Sequence, residues 1–357
     1  MIGVGVIGAS GWAAGSHLPA LAGLPEYRIA AVATTRRESA ERAAARFGGD
    51  AFADAAELIG HPGVDLVVVS VRAPLHAGLI RAALAAGRHV LSEWPLTVDP
   101  AEATALAETA EAAGVAHAVA LQGHHSPDAR FVADLVAGGR LGRLESAVLV
   151  ASGGPLGGAA IAPEHAWGAD PAGGTNVLTV MAGHFLATLE RMAGRLTEVS
   201  ARLPRLYDEV EVAGEGRTVP NRVPNQVLLH GTLDGGGTAS VTVHGSSAAP
   251  DGFLVKLVGS RAVLTATPAR PGSYLHWCDW DLRVDGRPVE VPAAYRTVPF
   301  HPKDGPVANV AALYRDLAAA VAEGRGPRPG FHDAARHHRL LAAVERAAGH
   351  GGKEEIR

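Results

Sequence analysis

Cysteine and lysine are the two conspicuous shortages in this 357-residue chain. Cys278 is the only cysteine, so one chain can build neither a disulfide framework nor a multi-cysteine metal site. Lysine occurs at Lys256, Lys303 and Lys353 alone, so the first 255 residues contain none. No lysine of that stretch can serve any chemistry carried there. The balance of 32 basic against 36 acidic residues, net −4, excludes a broad basic surface, and nucleic acid is not the expected partner. No apolar run reaches the roughly 18 residues of a membrane span. The opening MIGVGVIGASGW breaks into glycines without a basic stretch, so it reads as neither signal peptide nor anchor, and the expected location is cytoplasmic. What remains, 47% hydrophobic and 19% charged residues, is the composition of a globular protein. The length suggests two domains.

The first 150 residues alternate short β-branched runs with Ala-rich stretches. Strands are expected at Gly3–Ile7, Arg28–Ala33, Asp65–Val71, Arg88–Leu91 and Ala116–Leu121. Helices are expected from the first glycine turn through about Leu21, at Glu38–Phe47, after Ala73-Pro74, and from Asp99-Pro100 to Ala113. This spacing predicts an α/β, doubly wound parallel sheet of Rossmann type over residues 1–125. Residues 126–357 read as an α+β domain with an open, mostly antiparallel sheet. It has an apolar helix at Thr175–Arg191 and strands at Gln226–Asp234, Thr238–His244, Phe253–Val258 and Arg261–Thr267. Helices at Pro306–Glu323 and His332–Ala348 follow, free to pack back on the first domain, and the tail from Gly351 reads as frayed.

Gly8, Ser10, Gly11 and Trp12 follow the first strand directly. A glycine turn between strand and helix lets backbone N–H groups approach a pyrophosphate, although the usual G-x-G-x-x-G spacing is not met. The other reading is a tight turn with nothing bound. After the second strand, Thr34-Thr35-Arg36-Arg37 stands where an acidic residue would select a ribose 2′-hydroxyl. Thr35, Arg36 and Arg37 suit a 2′-phosphate instead, which favours NADP(H) over NAD(H); alternatively the arginines are a solvated helix start. Val71, Arg72, Pro74 and His76 follow the buried third run, at the sheet edge where ligands bind, though His76 can equally cap or pack its helix.

These elements, with Ala86-Gly87-Arg88-His89-Val90-Leu91-Ser92-Glu93-Trp94-Pro95, Gln122 to Pro127, Gly139-Arg140-Leu141-Gly142 and Gly183-His184, resemble the Gfo/Idh/MocA family of NAD(P)-dependent oxidoreductases over nearly the whole chain. The resemblance implies a Rossmann domain, then an open-faced sheet domain that commonly forms oligomers, with the nicotinamide in the cleft between them. It also implies cofactor contacts from Glu93, Trp94, Pro95 and Gln122. The departures carry more information. The family's E-K-P lysine is Trp94 here, and an indole has no titratable base. The family's aspartate four residues before His184 is Val180. E-W-P, G-W-A and L-Q-G are features of a subgroup resembling the yeast galactose-pathway repressor.

His184 is then the expected acid/base, with His124 or His125 as helper, although a packed helix histidine is the plain alternative. Tyr274, His276, Trp277, Asp279 and Trp280 gather in one stretch, suited to a carbohydrate or cyclic substrate or simply to covering the sheet. His230, His244 and His301 lack metal-ligand spacing, so no metal site is expected. The expected function is an NADP(H)-dependent oxidoreductase acting on a small, sugar-like or cyclic molecule, working as a homo-oligomer. Two alternatives stand beside it. One is a non-catalytic dinucleotide-binding regulator; the other is a non-redox biosynthetic enzyme on the same fold.

Overall fold

An unbroken apolar run can lie only where both faces of a strand are covered. Leu66–Val69 meets that condition, being buried at all positions in the middle of a parallel sheet. The computed structural model describes residues 1–154, 156–245 and 252–356. They divide into two units, Met1–His125 with Thr297–Arg336, and Ser126–Arg296 with His337–Arg357.

The first unit contains β1 (Ile2–Ile7), β2 (Tyr27–Ala33), β3 (Asp50–Phe52), β4 (Leu66–Val69), β5 (His89–Ser92) and β6 (His117–Val119). All pair in parallel, in the order β3-β2-β1-β4-β5-β6. The doubly wound sheet read from the alternation is present. Its helices are α1 (Trp12–Gly15), α2 (His17–Ala22), α3 (Arg37–Phe47), α4 (Ala55–Gly60), α5 (His76–Ala85) and α6 (Pro100–Ala113). Val4, Val6, Val32, Val68 and Leu91 form one core with Val310, Leu313, Tyr314 and Leu317 of the helix Val307–Glu323.

The helix expected to run from the glycine turn to Leu21 is broken at Ser16, which has φ −132° and ψ −71°. Pro19 explains the break: in a continuous helix its ring would strike the Gly15 carbonyl, four residues back. Restarting at His17 puts Pro19 in a first turn, where a missing N–H costs nothing. The expected α6 is present: Asp99 accepts from Ala101 N, and Gly114 ends the helix at φ +65°.

The second unit contains α7 (Pro127–Ala137), β7 (Leu144–Ser152), β8 (Ala160–Ile161), α8 (Gly183–Ala193), β9 (Leu196–Arg202), β10 (Glu209–Val212) and β11 (Arg217–Pro220). Then come β12 (Gln226–Leu233), β13 (Thr238–His244), β14 (Phe253–Gly259), β15 (Val263–Pro268), β16 (Trp280–Val284) and β17 (Arg287–Pro288). The chain closes with α9 (Val307–Glu323), already met in the first core, α10 (Phe331–His350), which runs across the division, and β18 (Lys353–Glu355). A nine-stranded sheet has the order β17-β16-β15-β14-β7-β13-β12-β9-β18, and a small second sheet has the order β11-β10-β8. In the large sheet only β13–β7 is parallel; the other pairs are antiparallel. Ala147, Leu149, Val241, Val243, Val255 and Leu257 point to the covered face, and α8 packs against β7. The opposite face aligns Leu228, Thr242, Val150 and Leu254 across four strands.

Two expectations fail in this unit. The helix expected at Thr175–Arg191 is a π-helix at Val177–Ala182 followed by α8. Asn176 sets its start, accepting from Leu178 N and Thr179 N while Thr179 Oγ1 accepts from Asn176 N. The tail is not frayed: Lys353, Glu354 and Glu355 pair with Ser200, Val199 and Glu198 of β9. Edge N–H and C=O groups of β9 would otherwise lack ladder partners, and Arg346 and His350 hold Glu354 at 3.0 and 2.9 Å.

Candidate functional site

The carboxyl edge of the parallel sheet gathers most residues expected to meet a dinucleotide. Strand order reverses at β1, whose neighbours are β2 and β4, and ligands of open α/β sheets bind outside the strand ends at such a point. Gly8 leaves β1 with φ +87°, and a Cβ there would lie 2.0 Å from the Ser70 carbonyl oxygen beyond β4. Only glycine lets these two strand ends close together. Gly11 has φ +53° with nothing within 4 Å of a Cβ position. Its backbone, not a lack of room, requires glycine, and it leaves an open, side-chain-free cradle before Trp12. A pyrophosphate fits such a cradle. The N–H groups of Gly8 and Ala9 donate to Ala33 (2.8 and 3.2 Å) and that of Ser10 to Gly8 (2.7 Å), so an anion here takes its donors from Gly11 onward. The dipole expected of a long following helix is small, because α1 has four residues.

Thr35, Arg36 and Arg37 are exposed at the end of β2. Arg37 Nε lies 3.1 Å from Glu41 Oε1, one helical turn on. Val71, Arg72 and Pro74 follow β4. His76 is buried with Nδ1 2.9 Å from the Pro95 carbonyl and Nε2 2.9 Å from the Val71 carbonyl. Two carbonyls favour the doubly protonated ring, but burial penalises its charge more, and the pKa is lowered. His76 therefore braces the loops that carry Val71 and Pro95.

Glu93, Trp94 and Pro95 continue from β5, and Trp94 is 4% exposed. Glu93 Oε1 accepts from Trp12 Nε1 at 2.9 Å and lies 2.5 Å from His17 Nε2. The E-W-P segment is thus tied to the glycine turn. Gln122, His124 and His125 form a 3₁₀ turn after β6; Gln122 and His125 are buried, His124 is half-buried, and the two imidazoles lie 5.6 Å apart.

In the second unit His184 is the second residue of α8, one residue past the π-helix, and is 7% exposed; π-segments interrupt helices mostly at functional positions. Its ring centroid lies 5.9 Å from that of His276. Thr188 Oγ1 is 3.0 Å from the His184 carbonyl and 2.8 Å from His276 Nε2. A hydroxyl that donates to that carbonyl accepts from His276, which puts the proton on Nε2. Burial drives the His276 pKa well below its ordinary value, with His184 adding to the effect. Phe185 and Tyr274 wall the ring at 5.5 and 5.3 Å. Asp128, buried at the start of α7, accepts from Trp280 N at 3.2 Å, and burial raises its carboxyl to about 6. Cys278 is buried and its thiol is pushed up to about 12, burial again acting first.

Sequence reasoning missed His17, Tyr314 and Thr188, and it grouped His276 with aromatics without joining it to His184. His17 had one usable signal, a histidine beside Pro19 in the restarted helix. Thr188 lies four residues after His184, one helical turn on, and a buried hydroxyl there needs a partner. Among the described residues no group of three or more His, Cys, Asp or Glu side chains is placed to hold a metal ion, and no helix is long and apolar enough to cross a membrane.

Comparison with known proteins agrees with this geometry. Residues 2–121 match the oxidoreductase family with an NAD-binding Rossmann fold, and residues 127–266 match the Gal80p C-terminal domain. Residues 2–121 thus carry the NAD-binding Rossmann domain of the Gfo/Idh/MocA oxidoreductases, and the chain resembles that family and, within it, Gal80p. It is 39% identical over 145 residues to the dTDP-3,4-didehydro-2,6-dideoxy-alpha-D-glucose 3-reductase of Actinomadura kijaniata, covering 41% of this chain and 44% of that protein. It is 30% identical over 215 residues to Dehydrogenase aclE of Aspergillus oryzae, covering 58% of each. The matched stretches therefore span about half the length of these relatives. A super-repressor mutant of Gal80p from Saccharomyces cerevisiae shares the fold with a TM-score of 0.85 at 20% identity, over 99% of this chain and 98% of that one. Levoglucosan dehydrogenase in complex with NADH and levoglucosan does so with 0.82 at 20% identity, over 99% of both chains.

Proposed function

We propose that the chain is an oxidoreductase that prefers NADP(H) to NAD(H) and acts on a small, sugar-like or cyclic substrate. The observation that carries this reading is the glycine cradle: Gly8 closed against Ser70 and Gly11 open in front, at the point where strand order reverses. Gly11 and Trp12 offer their N–H groups and Ser10 its hydroxyl to the pyrophosphate, Gly8 shapes the turn beneath it, and Thr35, Arg36 and Arg37 hold the 2′-phosphate. Val71, Arg72, Pro74, Glu93, Pro95 and Gln122 line the rest of the cofactor, and His76 keeps two of those loops in place. The dinucleotide, when bound, supplies or accepts the hydride. The names of the Actinomadura reductase and of levoglucosan dehydrogenase support a sugar-like substrate.

The chain's own residues bind, exclude water and move protons. Trp94 provides an apolar wall where the family's lysine would donate. His184 exchanges a proton with the substrate oxygen or nitrogen, with His124 or His125 as helper. The outer face of the large sheet, where Leu228, Val150 and Leu254 stand beside the exposed Arg202 and Lys256, serves to join copies of the chain. Mixing purified protein with NADPH and a panel of keto-sugars, imines and enones tests the reading; consumption of NADPH is expected with at least one class.

A second reading, a dinucleotide-binding regulator, is favoured by the match of residues 127–266 to the Gal80p C-terminal domain. NADPH binding with no turnover across the whole panel would sink the enzyme in favour of the regulator.

A further inference from the structure

A chain of buried polar groups runs inward from Glu93. His17 is fully buried, with Nε2 2.5 Å from Glu93 Oε1 and Nδ1 2.7 Å from the Tyr314 hydroxyl. Tyr314 is also fully buried and sits in the hydrophobic core. A second tyrosine braces it, Tyr27 donating to the Tyr314 carbonyl at 2.6 Å. The proton positions follow from donor and acceptor counting. Burial raises the Tyr314 hydroxyl well above its ordinary pKa, so it keeps its proton and needs an acceptor. Among the described residues that acceptor is His17 Nδ1. Nδ1 then carries the lone pair, and Nε2 carries the hydrogen that points at Glu93. Trp12 Nε1 donates to the same oxygen at 2.9 Å. Two N–H donors converging on one carboxylate oxygen hold the ionised form in place.

The location gives this charge a consequence. Trp12 directly follows Gly11, and Glu93 directly follows β5. In a doubly wound sheet one half takes each nucleotide, and the 2′-substituent is read at the end of β2. β5 therefore belongs to the half that takes the nicotinamide. An oxidised nicotinamide ring carries a positive charge that the reduced ring lacks, so a fixed carboxylate on that half discriminates between them. We propose that the Tyr314–His17–Glu93 relay keeps Glu93 as a fixed negative charge that makes this site bind the oxidised dinucleotide in preference to the reduced one. Glu93 sets the field; His17 and Tyr314 are positioning residues. The inference rests on the dinucleotide reading above.

The test is calorimetric titration of NADP+ and NADPH, and of NAD+ and NADH, into the wild-type protein and Glu93→Gln. Glutamine keeps an acceptor oxygen for Trp12 and His17, so the brace survives while the charge goes. The expected result is a shift of about tenfold in the ratio of the two dissociation constants, toward the reduced form, equal to about 1.4 kcal/mol. Tyr314→Phe, which deprives Nδ1 of its donor and keeps the aromatic core filled, is expected to shift the ratio the same way by a smaller factor. It also supplies the measurement if Glu93→Gln does not fold. A purely structural brace would weaken both redox forms by one common factor and leave the ratio unchanged, which overturns this inference alone. Failure of the wild type to bind any of the four dinucleotides overturns the functional reading as well.

Discussion

The two units bury histidines in opposite surroundings. His17, in the first, lies between a carboxylate and a phenol, and hydrogen bonds to both nitrogens fix its tautomer. His276, in the second, has a threonine hydroxyl on Nε2 and is walled by Phe185, Tyr274 and the His184 ring. A carboxylate partner keeps one arrangement of charge, whereas an aromatic wall makes charging the ring costly. The first surroundings suit a site that presents a constant field to a cofactor. The second keep His276 uncharged, so that beside His184 it serves as a neutral hydrogen-bond partner of Thr188 and not as a base.

The largest expected effect breaks the first of these sites. Gly8→Ala would drive a Cβ to 2.0 Å from the Ser70 carbonyl at a φ of +87°, which predicts a loss of about 3 kcal/mol or more and no measurable dinucleotide binding. Gly11→Ala meets nothing within 4 Å and is expected to cost less, about 1–3 kcal/mol from its backbone angle alone. Chemical denaturation with calorimetry ranks the two; equal losses would mean that contact between the strand ends is not what constrains Gly8. In the second unit, His184→Ala is predicted to lower turnover by about 10²–10⁴-fold with the folded state intact. His124→Ala is predicted to lower it less than tenfold. The reverse order in steady-state kinetics would move the proton chemistry out of the second unit.

The sheet of the first unit was readable because a strand buried on both faces must be apolar throughout, as Leu66–Val69 is, and because Asp99-Pro100 marks the start of α6 by local chemistry. The broken helix was hidden by a composition that favours helix everywhere; the decisive fact was a clash between Pro19 and a carbonyl four residues back. The short β3 and α4 carried too few residues to show a period. In the second unit the strands with clean alternation, such as Thr238–His244, were legible. The tail strand was not, because its partner β9 lies about 150 residues earlier and only the fold brings them together. The candidate site was legible as motifs: the glycine turn, E-W-P and His184 were all visible. The relay from Glu93 to Tyr314 was not, since three residues from positions 17, 93 and 314 carry no shared pattern.

The pH dependence of stability sharpens the contrast between surroundings. Burial lowers the pKa of His276 and takes His338 to about 3 in the second unit, and it lowers those of His76, His89 and His117 in the first. Below the ordinary histidine value the unfolded chain binds protons that these rings refuse. Their contribution to stability is therefore complete above about pH 6.5 and falls as the pH drops, by up to about 1.4 kcal/mol per pH unit for each fully buried ring. Asp128 has the opposite sign. Its folded value of about 6 lies above its ordinary 3.8, so the folded state gains protons, and stability, as the pH falls between those values. Urea titrations at pH 7, 6 and 5 are expected to show His338→Gln with a flatter decline than the wild type and Asp128→Asn with a steeper one. Parallel curves for all three proteins would contradict the assignment of these groups.

The smallest effect concerns the edges. Each large sheet ends on a three-residue strand, β3 in the first unit and β18 in the second, and short edge strands limit pairing with other molecules. They are held differently. Beyond its pairing with β2, β3 packs with α3, whereas β18 adds to its pairing with β9 the Ile356 N bond to the Thr197 carbonyl at 2.9 Å and side-chain contacts of its charged residues. Ending the chain at Gly351 removes that pairing and uncovers a β9 edge with alternating apolar residues. The truncated protein is predicted to unfold about 2–4 °C lower, the shift for a loss near 1 kcal/mol in a unit of this size, and to associate more readily at high concentration. Light scattering and thermal melts at two concentrations check both parts. An unchanged melt would mean that the strand covers the edge without stabilising it. Unchanged association would mean that the residues of β9 itself, Glu198 and Arg202 among them, already keep that edge from pairing.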